Sequence, residues 1–121
     1  MCGIVGIASN SNYIPALLSG LQALEYRGYD SSGIASSINN RLVHQKSVGK
    51  ISHLVDKLNS EEIQGNTAID HTRWATHGKP SFVNAHPFVK ENCAMVHNGI
   101  IENHEELINI HALNKKNIQT N

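Results

Sequence analysis

Cysteine is scarce in this chain, with only Cys2 and Cys93 present. Two cysteines cannot make the disulfide framework of a small secreted domain, and a reduced compartment keeps both thiols available. No basic segment followed by an apolar run and a cleavage site opens the chain, so a secretory signal is not expected. No stretch approaches the roughly 20 apolar residues of a membrane span. An excess of one charge sign is also missing. Ten basic and ten acidic residues give a formal net charge of zero, which leaves nothing to steer the chain to nucleic acid or an anionic membrane. Internal repeats and domain linkers are absent. The expectation is a cytoplasmic protein with neither nucleic-acid nor membrane partner.

What remains is an ordinary globular composition: 121 residues, 40% apolar and 17% charged, enough for one small domain with a moderate core. Cys2 to Ala8 reads as a buried strand, and Ser9 to Asn12 as a polar turn capping a helix. Ile14, Leu17, Leu18, Leu21 and Leu24 recur at helical spacing, with Pro15 tolerated in the first turn and Gly28 closing the segment. Gly33 to Ile38 and Leu42 to Val48 read as strands joined by a turn at Asn39-Asn40. Ile51, Leu54, Val55 and Leu58 mark a second helix. Thr67 to His71 is a further strand, Thr72 to Pro87 a long loop without period, Cys93 to His97 a strand, and Glu102 to Asn114 a third helix. Lys115 to Asn121 carries almost nothing apolar and is expected to fray. Mixed helices and strands predict an α+β fold, an antiparallel sheet under helices.

Cys2 stands behind the initiator methionine. Removal of Met1 would place a thiol and a free α-amine on one carbon, and an α-amine with a pKa of roughly 7.7–8.0 can take the thiol proton itself or through a water. Taken alone, Cys2 also reads as a small buried hydrophobe. Arg73 lies beside the only tryptophan, Trp74, and its planar fork matches a carboxylate; an exposed loop arginine fits equally. Asn98-Gly99 can aim a side-chain amide and a backbone N–H at one oxygen, as an oxyanion hole does, or can form a hairpin turn. His77, His86, His97 and Cys93 lack the spacing of a zinc motif, and no metal or cofactor is expected. The Asp30-Ser31-Ser32 loop is not a phosphate-binding motif.

Five stretches in order carry a resemblance: Cys2-Gly3-Ile4-Val5-Gly6, Leu24 to Ser31 with its Tyr-Arg-Gly-Tyr-Asp, His71 to Gly78 with its Arg-Trp-Ala-Thr-His-Gly, Asn84-Ala85-His86-Pro87, and His97 to Asn103. Together they resemble the class II glutamine amidotransferases, most closely the branch that aminates fructose-6-phosphate, from Cys2 to about His104. The resemblance implies an N-terminal-nucleophile hydrolase fold, two antiparallel sheets between helices. It implies glutamine as the small-molecule substrate and hydrolysis of its side-chain amide through a Cys2 thioester. Asn98 and Gly99 would hold the oxyanion. Arg73, Thr76, His77 and His86 would line the substrate pocket, Trp74 would gate it, and Arg27 and Gly28 would orient the nucleophile. Residues 2–121 would correspond to the N-terminal part of a glutaminase domain, without the isomerase domains. The family's Asp that binds the substrate ammonium has no counterpart after His104. A separately encoded C-terminal half or isomerase domain is one expectation that follows. A remnant that binds glutamine or pairs with another subunit without turnover is the other.

Overall fold

The computed structural model describes residues 1–11, 13–60, 63 and 65–115. Among these residues, six strands and three helices run in the order β1 (Gly3–Ala8), α1 (Ile14–Ala23), β2 (Ser31–Ile38), β3 (Arg41–Val48), α2 (Ile51–Ser60), β4 (Thr67–Arg73), β5 (Phe88–Lys90), β6 (Cys93–Met95) and α3 (His104–Ile110). A 3-10 turn, Glu25–Arg27, follows α1.

Four strands form an antiparallel sheet in the order β1-β4-β2-β3, and β5 and β6 pair as a separate ribbon. The register aligns Val5 with Asp70 and Asp70 with Ile34. Because side chains alternate along a strand, β4 serves two layers at once. Ala68, Asp70 and Thr72 face the helices, while Ile69, His71 and Arg73 face the opposite side.

The core sits on the helix side. Leu17 and Leu21 of α1 and Ile51, Leu54 and Leu58 of α2 pack with Tyr13, Ile34 and Ala68. Fully burying side chains of this size is worth about 1.5–3 kcal/mol each. The Tyr13 and Ser36 hydroxyls bond at 2.6 Å within this layer, so the polar tip of a core aromatic is satisfied where it is buried.

Five readings of the sequence are corrected. Thr72 and Arg73 belong to β4 and not to the following loop, because each has a packed face to fill. Phe88–Lys90 is a strand that sequence did not reveal; three residues give alternation too short to detect. The helix expected over Glu102 to Asn114 spans only His104–Ile110, and the strand expected over Cys93 to His97 ends at Met95. The cap of α1 is Tyr13, which makes no side-chain capping bond; Ser9 and Ser11 bond to each other in a turn of their own. Asn12 and residues 116–121, where part of the cap and the fraying were expected, lie outside the described residues.

Among the described residues β1 and β3 are sheet edges, and Ile100, Ile101, Ile110 and Leu113 are exposed. No helix among them is long and apolar enough to cross a membrane.

Candidate active site

The side of the sheet away from α1 and α2 is covered by the long segment from Trp74 to Pro87 and by the β5–β6 ribbon. This covering is possible because β2 has a glycine as its third residue. A Cβ on Gly33 would collide with the His86 carbonyl and lie 3.1 Å from Pro87 Cδ, so only glycine lets the segment lie flat on the strand.

Between this layer and α3 is a cavity of about 790 Å³. Cys2, Arg27, Arg73, Trp74, Thr76, His77, His86, Asn98 and Gly99 all line it. Nine of the ten candidate residues, drawn from five separate stretches, are thus brought to one place. Gly28, the tenth, is buried behind Trp74. A Cβ on it would stand 2.7 Å from Trp74 Cβ and 2.9 Å from Trp74 N, and the Gly28 carbonyl accepts a hydrogen bond from the Thr72 hydroxyl.

The end of β4 seats the cysteine. Pairing of Gly3 with Thr72 carries Cys2 alongside Trp74, whose backbone N–H meets Sγ at 3.4 Å. Cys2 is half-buried and its thiol free. The Met1 ammonium donates to the Arg27 carbonyl at 2.7 Å, so the chain terminus is held over the 3-10 turn beside the cavity.

Arg73 is almost fully buried, and one guanidinium nitrogen donates to the His77 carbonyl and the other to the Lys79 carbonyl at 3.4 Å. The fork is therefore braced by the loop that carries Thr76 and His77, whose side chains bond to each other at 3.2 Å. Its remaining N–H groups are the ones left for a ligand. Trp74 is half exposed at the rim and meets Tyr29 edge-to-face at 5.9 Å.

Asn98-Gly99 joins no pair of strands, which removes the hairpin reading; it follows β6 on the way to α3. Gly99 has φ +151°, and a Cβ there would stand 3.1 Å from the His97 ring. The Asn98 side-chain oxygen lies 2.8 Å from His71 Nε2.

Sequence reasoning gave two neighbours no role. Asp30 read as part of a simple loop, yet one carboxylate oxygen accepts the Ala75 N–H and its backbone N–H donates to the Arg73 carbonyl at 3.0 Å. It fixes where the loop leaves β4. His71 is fully buried; its ring stacks on His86 at 4.3 Å, and His86 packs on Phe88 at the same separation. Burial lowers the His71 pKa. Burial, then the neighbouring His71 and Arg73, pushes His86 down to about 3. Both rings are neutral at pH 7. The α3 side of the cavity, with Ile100, Ile101, Leu107 and Ile108, is apolar. Among the described residues, no three His, Cys, Asp or Glu side chains converge in a way that holds a metal.

A thiol met by a backbone N–H, an amide followed by a glycine, and a buried guanidinium surround one space walled in part by apolar side chains. Such a set is equipped to attack a carbonyl carbon, to receive the oxyanion formed and to grip an acidic group.

The same architecture occurs in two solved structures. One is the glutamine phosphoribosylpyrophosphate amidotransferase of B. subtilis, 26% identical, matched over 99% of this chain and 26% of that one with a TM-score of 0.80. The other, described as the allosteric regulatory enzyme of purine biosynthesis, is 26% identical, with 99% and 27% coverage and a TM-score of 0.81. The fold is that of the N-terminal-nucleophile amidotransferases.

Residues 1–113 match the family of class-II glutamine amidotransferases, and the chain belongs to that family. Among individual relatives, the glutamine–fructose-6-phosphate aminotransferase (isomerizing) of Chlamydia muridarum is 54% identical over 109 residues. The enzyme of the same name from Bartonella quintana is 53% identical over 107 residues. Each alignment takes in 88% of this chain and 18% of the relative, so the chain spans about a fifth of the length of the curated relatives it matches.

Proposed function

We propose that this chain carries the glutamine-hydrolysing site of an amidotransferase. The observation that carries the reading is the convergence of Cys2, Arg73 and Asn98-Gly99 on one cavity. In this reading Met1 is removed, and the new α-amine of Cys2 accepts the thiol proton. The sulfur attacks the side-chain amide carbon of glutamine. The Asn98 amide and the Gly99 N–H receive the oxyanion, and the amine then protonates the departing ammonia. Water hydrolyses the γ-glutamyl thioester to glutamate and restores the thiol. Arg73 holds the substrate α-carboxylate, Thr76 and His77 shape the adjoining wall, and His86 backs it. Trp74 acts as the gate at the rim. Arg27 and Gly28 set the position of the terminus and of Trp74.

The relatives' name points to fructose-6-phosphate as the acceptor of the ammonia; its amination to glucosamine-6-phosphate would take place on a sugar-phosphate unit, on the same polypeptide or on a separate partner. Residues 2–121 then act as the N-terminal part of the glutaminase unit, in a cytoplasmic, reducing setting that keeps Cys2 free.

The test is glutamate release from glutamine, measured with intact-protein mass spectrometry after exposure to a glutamine-analogue electrophile. The expected result is a mature chain starting at Cys2, one adduct on its sulfur, and no glutamate from Cys2→Ala. Retained hydrolysis in Cys2→Ala, or a mature chain still beginning with methionine, rejects the mechanism.

A further inference from the structure

We propose that His71 is a positioning residue: its imidazole holds the Asn98 side-chain amide in the one orientation that turns the NH2 group toward the cavity. The inference rests on the reading of Asn98 as an oxyanion donor and assigns the residue that makes that role possible.

An asparagine amide has a donor end and an acceptor end, and only the NH2 end can stabilise an anionic oxygen. Rotated by half a turn, the same side chain would set a carbonyl oxygen against the oxyanion. Asn98 is exposed and lies between β6 and α3, outside any strand or helix. Among the described residues, the side-chain hydrogen bond that distinguishes its two ends is the 2.8 Å approach of His71 Nε2 to Oδ1.

The tautomer follows from the other ring nitrogen. His71 Nδ1 is buried and has no hydrogen-bond partner. A neutral ring protonated at Nε2 leaves only a bare lone pair there. The flipped arrangement, in which Asn98 donates to Nε2, would need the proton on Nδ1 and so an orphaned buried N–H, which is rare. The ring is therefore a donor at Nε2, and Asn98 presents its oxygen to it.

His71 is itself held firmly. It occupies the middle of the sheet, in register with Ile4 on one side and Gly33 on the other. His86 stacks on it with the ring planes 27° apart. The empty side-chain position at Gly33 is what allows His86 to come down onto the ring. A strand paired on both sides thus transmits its position to an amide that lies outside any strand or helix, as preorganised donors require.

The test compares His71→Leu, which keeps bulk and removes the donor, with His71→Gln, which returns an N–H near the Nε2 position. Steady-state glutamine hydrolysis by His71→Leu should lose about 10–100-fold in kcat, with KM within about twofold. His71→Gln should recover most of the loss. Alkylation of Cys2 by iodoacetamide, a displacement that forms no oxyanion, should proceed at the wild-type rate in both. Unchanged kcat in His71→Leu, or equal losses of hydrolysis and alkylation, would overturn the inference. Nitrogen-15 NMR of the wild-type chain decides it independently of how any variant folds: an Nε2–H tautomer coupled to Asn98 supports it, and an Nδ1–H tautomer refutes it. Asn98→Ala run in parallel separates the two ideas, since full hydrolysis by that variant rejects the oxyanion reading itself.

Discussion

Replacing Asp70 by asparagine should change the pH dependence of stability more than it changes stability at any one pH. Asp70 lies on the helix face of β4, completely buried, in register with Val5 and Ile34. One carboxyl oxygen accepts the Val5 N–H at 3.0 Å, and the other has no partner. Burial raises its pKa from 3.8 to about 7, against a smaller opposing pull from the Val5 bond. Between these values the folded chain keeps a proton that the unfolded chain releases. Stability therefore declines as pH rises through that window, and the whole penalty stands above it. At about 1.4 kcal/mol per pH unit, the part incurred between pH 5 and pH 8 is about 2–3 kcal/mol. Asparagine removes the charge and keeps an acceptor for Val5. Its NH2 group inherits the unpartnered position, at a pH-independent cost of about 1–3 kcal/mol.

The variant should accordingly be no more stable than wild type at pH 5 and should gain about 2–3 kcal/mol on it by pH 8. His86 contributes the opposite slope. Its pKa is depressed to about 3, so the unfolded chain binds a proton that the folded chain refuses, and stability falls as pH drops below about 6.5. In wild type these slopes oppose each other; in Asp70→Asn only the histidine slopes remain, those of His86 and of His71, whose pKa burial also lowers, and stability should rise from pH 5 to about pH 7 and then level off. Urea unfolding of both proteins at four pH values, with matched m-values, measures this. A stability difference that stays constant within about 0.5 kcal/mol across the range would refute the claim that Asp70 is protonated in the folded chain.

Two further outcomes follow from close contacts. Tyr13→Phe deletes the 2.6 Å bond to Ser36 and should cost about 1 kcal/mol, read as a lower thermal midpoint; an unchanged midpoint contradicts it. Gly28→Ala forces the added Cβ against Trp74, whose N–H contacts Cys2 Sγ. Glutamine hydrolysis should fall up to about 100-fold, and emission from the only tryptophan should shift; native emission with native activity contradicts it.

Much of the fold was legible in the residues. Leu17, Leu21, Leu54 and Leu58 announced two helices through their spacing, and Asn39-Asn40 announced the β2–β3 turn, where both residues have positive φ. Ordered motifs grouped Cys2, Arg73, Trp74 and Asn98 as candidates, and the structure places these four on one cavity. What could not be read was the third dimension. Alternation in β4 is disguised because both faces are packed, so Asp70 and His71 carry no periodic signature although each is fully buried. The stacking of His86 on His71 depends on a missing side chain at Gly33, contributed by a different strand. The bracing of Arg73 by the His77 and Lys79 carbonyls depends on backbone atoms, which side-chain identity does not encode.

The position of Met1 has a practical corollary. Its nitrogen rests on the Arg27 carbonyl and its side chain lines the cavity, so any peptide fused ahead of it must leave across the entrance. An affinity handle placed there would leave Met1 internal, so the free α-amine that the proposed chemistry requires of Cys2 would not form. The Asn39-Asn40 tip lies at the far end of β2 from Ser31, which pairs with Arg73, about 25 Å along an eight-residue strand. Tethers, dyes and immobilisation points belong at that remote corner.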